Sequence, residues 1–447
     1  MRHPELFLWI SILCPLVSYL TFRDLLHPHF IFTLSWVYLL PLGPIFIPKP
    51  ADDLISLLVC SDKEFARVHF VSAFFMTALF FTTLLLARRH GTGLHGSLNG
   101  TNAVKKALAG FSRWIIPAGV IGASILLVQM LIQLSKSDWS LVTWFNFLIG
   151  PRFERPWAGA YVGGKEYIQT LIANLFPLAG ILLGYTSVFG ARRFRSLFLI
   201  LWLFHLFMLV CDGSRTPMVL SLLSWGMFWW ISKRGTLRIA GAVAAVAGVV
   251  TLISVMATFR HEGIVRVTDS GNDVRIEYHQ DDNYYRFVHV ILTDRAQTTA
   301  HWSALTFLTA AVVNPIPRYF WPGKPLLEQN FYGEWKLPYV TITFIGECVA
   351  MYGETTGLAV AFGIALALHH VFLHLFPVVR RPGGLLLYLS AAFYFYSIMR
   401  SITNLGMNMI FFVTVVGFYL FLNRNSSDLF TASNSRLRAR PPRQIQR

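Results

Sequence analysis

The sequence predicts an all-α protein, a polytopic bundle of about 11 transmembrane helices with a long region on the outer side. Two observations on composition point to a membrane protein. Of 447 residues, 55% are hydrophobic and 13% are charged, and the mean hydropathy is +0.53. A soluble domain carries roughly a quarter charged residues, so this class is excluded. The third observation is that apolar runs of about 20 residues, the length that crosses a bilayer as a helix, recur along the chain.

Eleven apolar segments are predicted to span the membrane. They are roughly residues 6–21, 28–47, 68–87, 113–134, 167–190, 196–211, 216–232, 237–258, 355–377, 384–400 and 405–423. The sixth and seventh segments are short and are separated by the tight turn 212–215. The apolar piece Trp302–Val313 is too short to span, and it is predicted to be re-entrant or interfacial.

The distribution of Lys and Arg predicts the orientation of the chain, because short cytoplasmic loops are enriched in these residues. One set of loops and the C-terminal tail hold 20 of the 38 basic residues but 2 of the 22 acidic ones. We assign this set to the cytoplasm, which leaves the N-terminus and the long region 259–354 outside. The net charge of +16 is therefore a topology signal, and no nucleic-acid partner is predicted.

Four parts of the chain follow from this topology. Residues 1–258 form an N-terminal transmembrane region of about eight spans, with outer arginine loops at 135–166 and 212–215. Residues 259–354 form the long outer or re-entrant region, and 355–423 the C-terminal spans. The polar, basic tail 424–447 is predicted to be disordered on the cytoplasmic side.

No metal site or cofactor is predicted. The four cysteines show no metal-ligand spacing, and neither do the outer histidines His261, His289 and His301. The sequence also contains no Walker box and no Asp-x-Asp glycosyltransferase motif.

Basic residues on the outer side are not explained by the positive-inside rule. They lie beside the ends of predicted spans: Arg152, Arg155, Arg215, Arg260, Arg286, Arg295, Arg318, Lys324 and Arg400. A charge at membrane depth is costly unless it is paired or solvated, so this cluster indicates an anion in a water-filled cavity. Arg binds phosphate bidentately and is the preferred residue for that ligand. The alternative is that each Arg snorkels or pairs with an acid such as Glu154, Asp212, Glu262 or Asp294.

A proline-rich segment, NPIPRYFWPGKP, holds two of these cations. Four prolines within Asn314–Pro325 fix the backbone in extended conformations, so Arg318 and Lys324 are held in place. The rings of Tyr319, Phe320 and Trp321 either stack on a sugar or anchor the loop at the membrane surface.

Two glutamates, Glu347 and Glu354, lie at the outer end of the ninth predicted span. If the helix begins early, their spacing of seven residues puts both on one face. Glu347 is embedded among apolar residues, which favours a functional role. The roles open to it are general base, ligand of a sugar hydroxyl, or partner of an Arg.

Several motifs resemble the bacterial O-antigen polymerase family, the oligosaccharide repeat-unit polymerases. IPRYFWPGKP resembles the Ile-Pro-Arg-x-x-Trp-Pro-x-Lys-Pro box of the family, and DGSRTPMVL its Gly-Ser-Arg turn. FIGECVAMYGETTGL is similar to the Gly-Glu segment that follows the box, and GPRFERPWAGAYVGG to the first arginine loop. The motifs occur in the order of the family.

The resemblance implies a GT-C-like enzyme in the bacterial inner membrane, with its active site facing the periplasm. Its substrate is undecaprenyl-pyrophosphate-linked oligosaccharide, membrane lipid surrounds it, and a chain-length regulator protein is a candidate partner. The resemblance implies that Arg215, Arg318 and Lys324 bind pyrophosphate, and that Glu347 is the general base. The supporting substrate-binding residues are Arg152, Arg155, Arg260, Tyr319, Trp321, Arg400 and Asn404.

Three other functions are considered. An O-antigen ligase uses a histidine in the long outer loop; His301 is the nearest candidate, ahead of the proline-rich box rather than behind it. A polyprenyl-phosphate-sugar GT-C transferase uses an acidic pair in an early outer loop. Asp52 and Asp53 form such a pair but follow the second span, where helix capping explains them. A flippase of lipid-linked glycan is the non-enzyme alternative. Transporters often contain internal repeats, and the absence of a repeat in this sequence argues against it.

Overall fold

The structure is a computed structural model. It describes residues 4–24, 26–39, 62–90, 114–151, 155–156, 164–212, 215–233, 343–381, 383–402 and 411–420, with isolated positions in 236–251, 309–323 and 405–409.

Twelve α-helices can be bounded in this part of the chain. They are α1 (Pro4–Phe22), α2 (Pro28–Leu39), α3 (Asp62–Arg89), α4 (Ile115–Ser135), α5 (Leu141–Ile149), α6 (Gly164–Phe189), α7 (Arg192–Cys211), α8 (Arg215–Ser232), α9 (Thr343–Tyr352), α10 (Glu354–Leu375), α11 (Gly384–Arg400) and α12 (Phe411–Leu420). A 3₁₀ helix, Phe376–Arg380, extends α10. The all-α prediction is confirmed for the residues described, which contain no strand.

Five of these helices are long and apolar enough to cross a membrane: Glu5–Phe22, Ala66–Arg89, Ile115–Ser135, Arg192–Cys211 and Glu354–Val379. Four shorter apolar helices accompany them: Leu175–Phe189, Pro217–Ser232, Gly384–Arg400 and Phe411–Leu420. The described helices suit a multi-pass membrane protein, and the number of 11 spans stays a prediction.

Helix α3 shows why these helices suit a lipid environment. Phe70, Phe74, Phe81 and Leu85 are all more than half exposed, and their spacing places them along one side of the helix. An exposed apolar stripe of this length is costly in water but is expected where acyl chains surround the protein.

The helices pack in two groups. Helix α6 is the centre of the first group, with α4, α7 and α8 packed around it, and its Leu183 is fully buried. The second group contains α1, α2, α3, α9 and α10. Helices α11 and α12 lie over a shared apolar core that includes residues of α6, α8 and α10. The two groups therefore form one continuous bundle.

Two helices were not predicted from the sequence. Helix α5 lies in the predicted outer loop 135–166, where the hydroxyl of Ser140 accepts a 3.2 Å hydrogen bond from the Thr143 N–H. Helix α9 lies at the end of the region 259–354 and is buried from Thr343 to Met351. Both were missed because nine or ten residues are too few for a spanning segment.

Candidate functional site

Glu347 lies on α9 with no exposed surface. Its Oε1 accepts a hydrogen bond of 2.5 Å from the hydroxyl of Ser401, and its Oε2 one of 2.6 Å from the N–H of Ile402. Ser401 and Ile402 directly follow Arg400, the last residue of α11. The carboxylate therefore holds the segment after α11 against α9.

A break separates α9 from α10. Gly353 has φ of +79°, a conformation that residues with a Cβ rarely adopt, and it ends one helix before the next begins. Gly357 then lies directly against the backbone of Cys348 and Val349, where a Cβ would overlap both. The first turn of α10 therefore packs closely on α9.

The break corrects the expectation that Glu347 and Glu354 share a helix face. The two glutamates would share a face only if one continuous helix contained both, and Gly353 interrupts the helix between them. Glu354 is partly exposed and forms an ion pair of 3.0 Å with Arg67 on α3. One glutamate is thus buried beside the end of α11, and the other is paired at the surface.

Arg155 is the second buried charge, with 1% of its side chain exposed. Its Nη2 donates to the carbonyls of Leu148 at 2.8 Å, Gly150 at 3.0 Å and Cys211 at 2.6 Å. Its Nη1 lies 3.4 Å from Asp212. Carbonyls at helix C-termini lack partners within the helix, and Arg155 satisfies them at the ends of α5 and α7.

Two predicted arginine loops meet at this side chain. Arg155 belongs to the loop 135–166, while Cys211 and Asp212 lead into the turn before Arg215, the first residue of α8. For Arg155 the structure shows the ion-pair alternative, with Asp212 as the acid. Its burial suits a positioning role for the turn rather than direct contact with substrate.

The other predicted site residues are placed as follows. Arg400 is partly buried at the end of α11, the same end that contacts Glu347. Trp321 has 40% of its surface exposed. Arg152, Arg260, Arg318, Tyr319, Lys324 and Asn404 lie outside the described residues, as does the side chain of Arg215. The structure thus brings Glu347 and Arg400 to one end of the bundle.

One cluster was missed by the sequence reasoning. His90, His370 and His374 come together at the opposite end of α3 and α10 from the Arg67–Glu354 pair. The signal available in the sequence was the spacing of His370 and His374, four residues apart on a helix. The prediction of no metal site considered the outer histidines and the cysteines, and it did not consider this pair.

The two buried charges differ in the chemistry open to them. A guanidinium remains charged at any accessible pH, so Arg155 can bind and orient but cannot transfer a proton. The carboxylate of Glu347 can accept a proton, and its two oxygens offer about four acceptor sites. Glu347 therefore has the proton-accepting group that a general base requires.

The sequence and the structure were compared with known proteins. No protein-family model, curated protein or solved structure matches this chain.

Proposed function

We propose that this chain polymerises undecaprenyl-pyrophosphate-linked oligosaccharide units into a surface polysaccharide such as O-antigen, capsule or exopolysaccharide. The growing glycan is transferred from its lipid pyrophosphate onto a hydroxyl of the next lipid-linked unit. The bond between the anomeric carbon and the pyrophosphate oxygen breaks, and a glycosidic bond forms. The hydroxyl proton passes to a base, and undecaprenyl pyrophosphate leaves. The reaction takes place at the periplasmic face of the bacterial inner membrane.

The burial of Glu347 beside the end of α11 is the observation that carries this proposal. An ionisable side chain among membrane-type helices is costly, so its presence there favours a functional role. Ser401 and Ile402 donate to its two oxygens and hold the carboxylate in one orientation at this end of the bundle. Because Glu347 has no exposed surface, the acceptor hydroxyl reaches it only when the packing around the end of α11 opens.

The arginines stabilise the leaving group in this proposal. Charge develops on the departing pyrophosphate oxygen, and donors fixed before the reaction lower the barrier most. The sequence predicts that the prolines of their loop hold Arg318 and Lys324 in place. Arg155 binds the Cys211 carbonyl and Asp212, which lie shortly before Arg215 in the sequence. Arg155 therefore positions the pyrophosphate site without touching the substrate.

The direct test uses purified protein in detergent with an undecaprenyl-pyrophosphate-linked repeat unit, and a gel that resolves glycans by length. We expect a ladder of products from the wild type and none from Arg318→Ala or Arg215→Ala. Both variants should insert into membranes at the wild-type level. Arg192→Ala, at the start of α7, is the matched control and should retain the ladder. Wild-type ladders from both site variants would contradict the assignment.

The same preparation separates the alternatives. A ligase would transfer finished glycan to an added lipid A core without lengthening the repeat unit. A flippase would move lipid-linked glycan across vesicle membranes and produce no longer chains. Loss of activity in Asp52→Ala/Asp53→Ala would favour the polyprenyl-phosphate-sugar transferase.

A further inference from the structure

The histidine cluster lies at the end of two parallel helices. His90 directly follows Arg89, the last residue of α3, while His370 and His374 lie one turn apart near the end of α10. At the other end of the same helix pair, Arg67 of α3 contacts Glu354 of α10. The rise of an α-helix puts Glu354 and His374 about 30 Å apart, the thickness of the hydrocarbon core of a bilayer. The charge distribution in the sequence predicts that this end of the helix pair lies at the cytoplasmic surface of the membrane.

The three rings contact one another. The ring centroids of His90 lie 4.9 Å from His370 and 4.7 Å from His374, and those of His370 and His374 are 4.6 Å apart. Nε2 of His90 lies 3.2 Å from Nδ1 of His370, and the Nε2 atoms of His370 and His374 are also 3.2 Å apart. Each residue offers one nitrogen such that all three nitrogens lie within 4.8 Å.

With one nitrogen from each ring the three atoms lie within 4.8 Å, somewhat wider than a tetrahedral metal site requires. Zn–N bonds of about 2.0–2.1 Å place two ligand nitrogens roughly 3.3 Å apart in a tetrahedron. His370 and His374 are exposed and His90 is partly exposed, so their rings can rotate to close the remaining distance. The neighbouring His369 takes no part, because its ring is fully buried and packs on His29 and Phe32.

We propose that His90, His370 and His374 bind a divalent transition-metal ion of the zinc type, which joins the inner end of α3 to α10. Three imidazole nitrogens suit Zn²⁺, Ni²⁺, Co²⁺ or Cu²⁺, whereas Mg²⁺ and Ca²⁺ require oxygen ligands. Three protein ligands leave a fourth position for water or a further ligand. The ion clamps two helices from distant parts of the chain, and the proposal does not depend on the polymerase function.

Metal binding can be tested on the full chain, purified in detergent through a tag without histidines and treated with chelator. We expect the wild type to retain one Zn²⁺ per chain after desalting and to show the visible absorption bands of Co²⁺ in a tetrahedral nitrogen site. His90→Gln, His370→Gln and His374→Gln should each weaken Zn²⁺ binding by at least about 10-fold, since even loss of an outer-shell partner has an effect of that size. His301→Gln, in the predicted outer region, is the control and should bind as the wild type does.

A second measurement needs no variant. Diethyl pyrocarbonate modifies accessible histidines, and mass spectrometry locates the modified residues. Zn²⁺ should protect all three members of the cluster together. The proposal is overturned if the wild type binds no Zn²⁺ at a few hundred micromolar, if His90→Gln binds Zn²⁺ as tightly as the wild type, or if Zn²⁺ protects His370 and His374 but leaves His90 reactive. The last two outcomes would describe an ordinary pair of histidines on one helix.

Discussion

Two buried charges, Arg155 and Glu347, lie in different helix groups and are bound in opposite ways. Arg155 donates to carbonyls from its own loop region and from the end of α7, and it has Asp212 as an ion-pair partner. Glu347 accepts from a hydroxyl and an N–H, both on the segment directly after α11. Arg155 thus ties three backbone positions together, while Glu347 holds the segment after α11.

The difference separates a structural charge from a chemically usable one. Removing Arg155 leaves several buried carbonyls without a donor, and its own charge state cannot change. Glu347 accepts from Ser401 and Ile402, and its carboxylate can take up a proton. We therefore expect substitutions of Arg155 to affect stability first, and conservative substitutions of Glu347 to affect turnover first.

The largest effect is expected from Arg155→Met. This change removes a donor to three carbonyls and an ion-pair contact with Asp212, and it should lower the free energy of unfolding by about 3–5 kcal/mol. Thermal unfolding in detergent measures the loss. Arg192→Met, the control at the start of α7, should change stability by no more than about 0.5 kcal/mol. Equal stability of both variants would show that water molecules replace Arg155 as donors to these carbonyls.

Glu347→Gln should lower turnover by at least about 100-fold, the effect typical of a lost general base. Gln keeps the shape of the side chain, and its amide can still accept from Ile402 while the Ser401 hydroxyl rotates to accept from it. The melting temperature and the binding of lipid-linked substrate should therefore remain close to wild type. Unchanged turnover would leave Glu347 as a purely structural partner of the α11 end.

Ser401→Ala tests the contact from the other side. It removes one hydrogen bond to a buried charged group, and we expect a loss of about 1.5–3 kcal/mol in stability. The Ile402 bond keeps the segment in place, so turnover should fall less than in Glu347→Gln. Ser390→Ala, at a buried serine of α11 whose hydroxyl has no hydrogen-bond partner among the described residues, is the comparison. A larger loss of turnover in Ser401→Ala than in Glu347→Gln would transfer the catalytic role to the hydroxyl.

The smallest effect is expected for the exposed pair Arg67 and Glu354. Their side chains are 55% and 28% exposed, so solvent screens the attraction. A double-mutant cycle with Arg67→Gln and Glu354→Gln should give a coupling of less than about 1 kcal/mol. A coupling of about 3 kcal/mol or more would show that this pair stabilises the fold as strongly as a buried ion pair does.

The helices were predictable where an apolar run is long. The segments 113–134 and 384–400 correspond closely to α4 and α11, Ile115–Ser135 and Gly384–Arg400, since a spanning helix needs a long unbroken run of apolar residues. The break at Gly353 was not predictable in this way. A single glycine within an apolar stretch is compatible with a continuous helix, and only the packing of Gly357 on α9 requires the chain to turn there.

For the candidate site, the sequence was enough to select the key residue but not to identify the residues that contact it. Glu347 was selected because it is a carboxylate among apolar neighbours, and it is fully buried. Its partner Ser401 is 54 positions away, and no local pattern links the two residues. The histidine cluster shows the same division, because the spacing of His370 and His374 is visible in the sequence while His90 is 280 positions from His370.

The sequence by itself determined that the described chain is helical and apolar enough for a membrane, because these properties depend on composition and on runs of neighbouring residues. The tertiary structure decided which charges are buried together and which remain exposed. Arg155 and Asp212 are 57 positions apart, and Arg67 and Glu354 are 287 apart. Such contacts depend on how helices pack side by side, and helix packing brings together side chains whose positions in the sequence are unrelated.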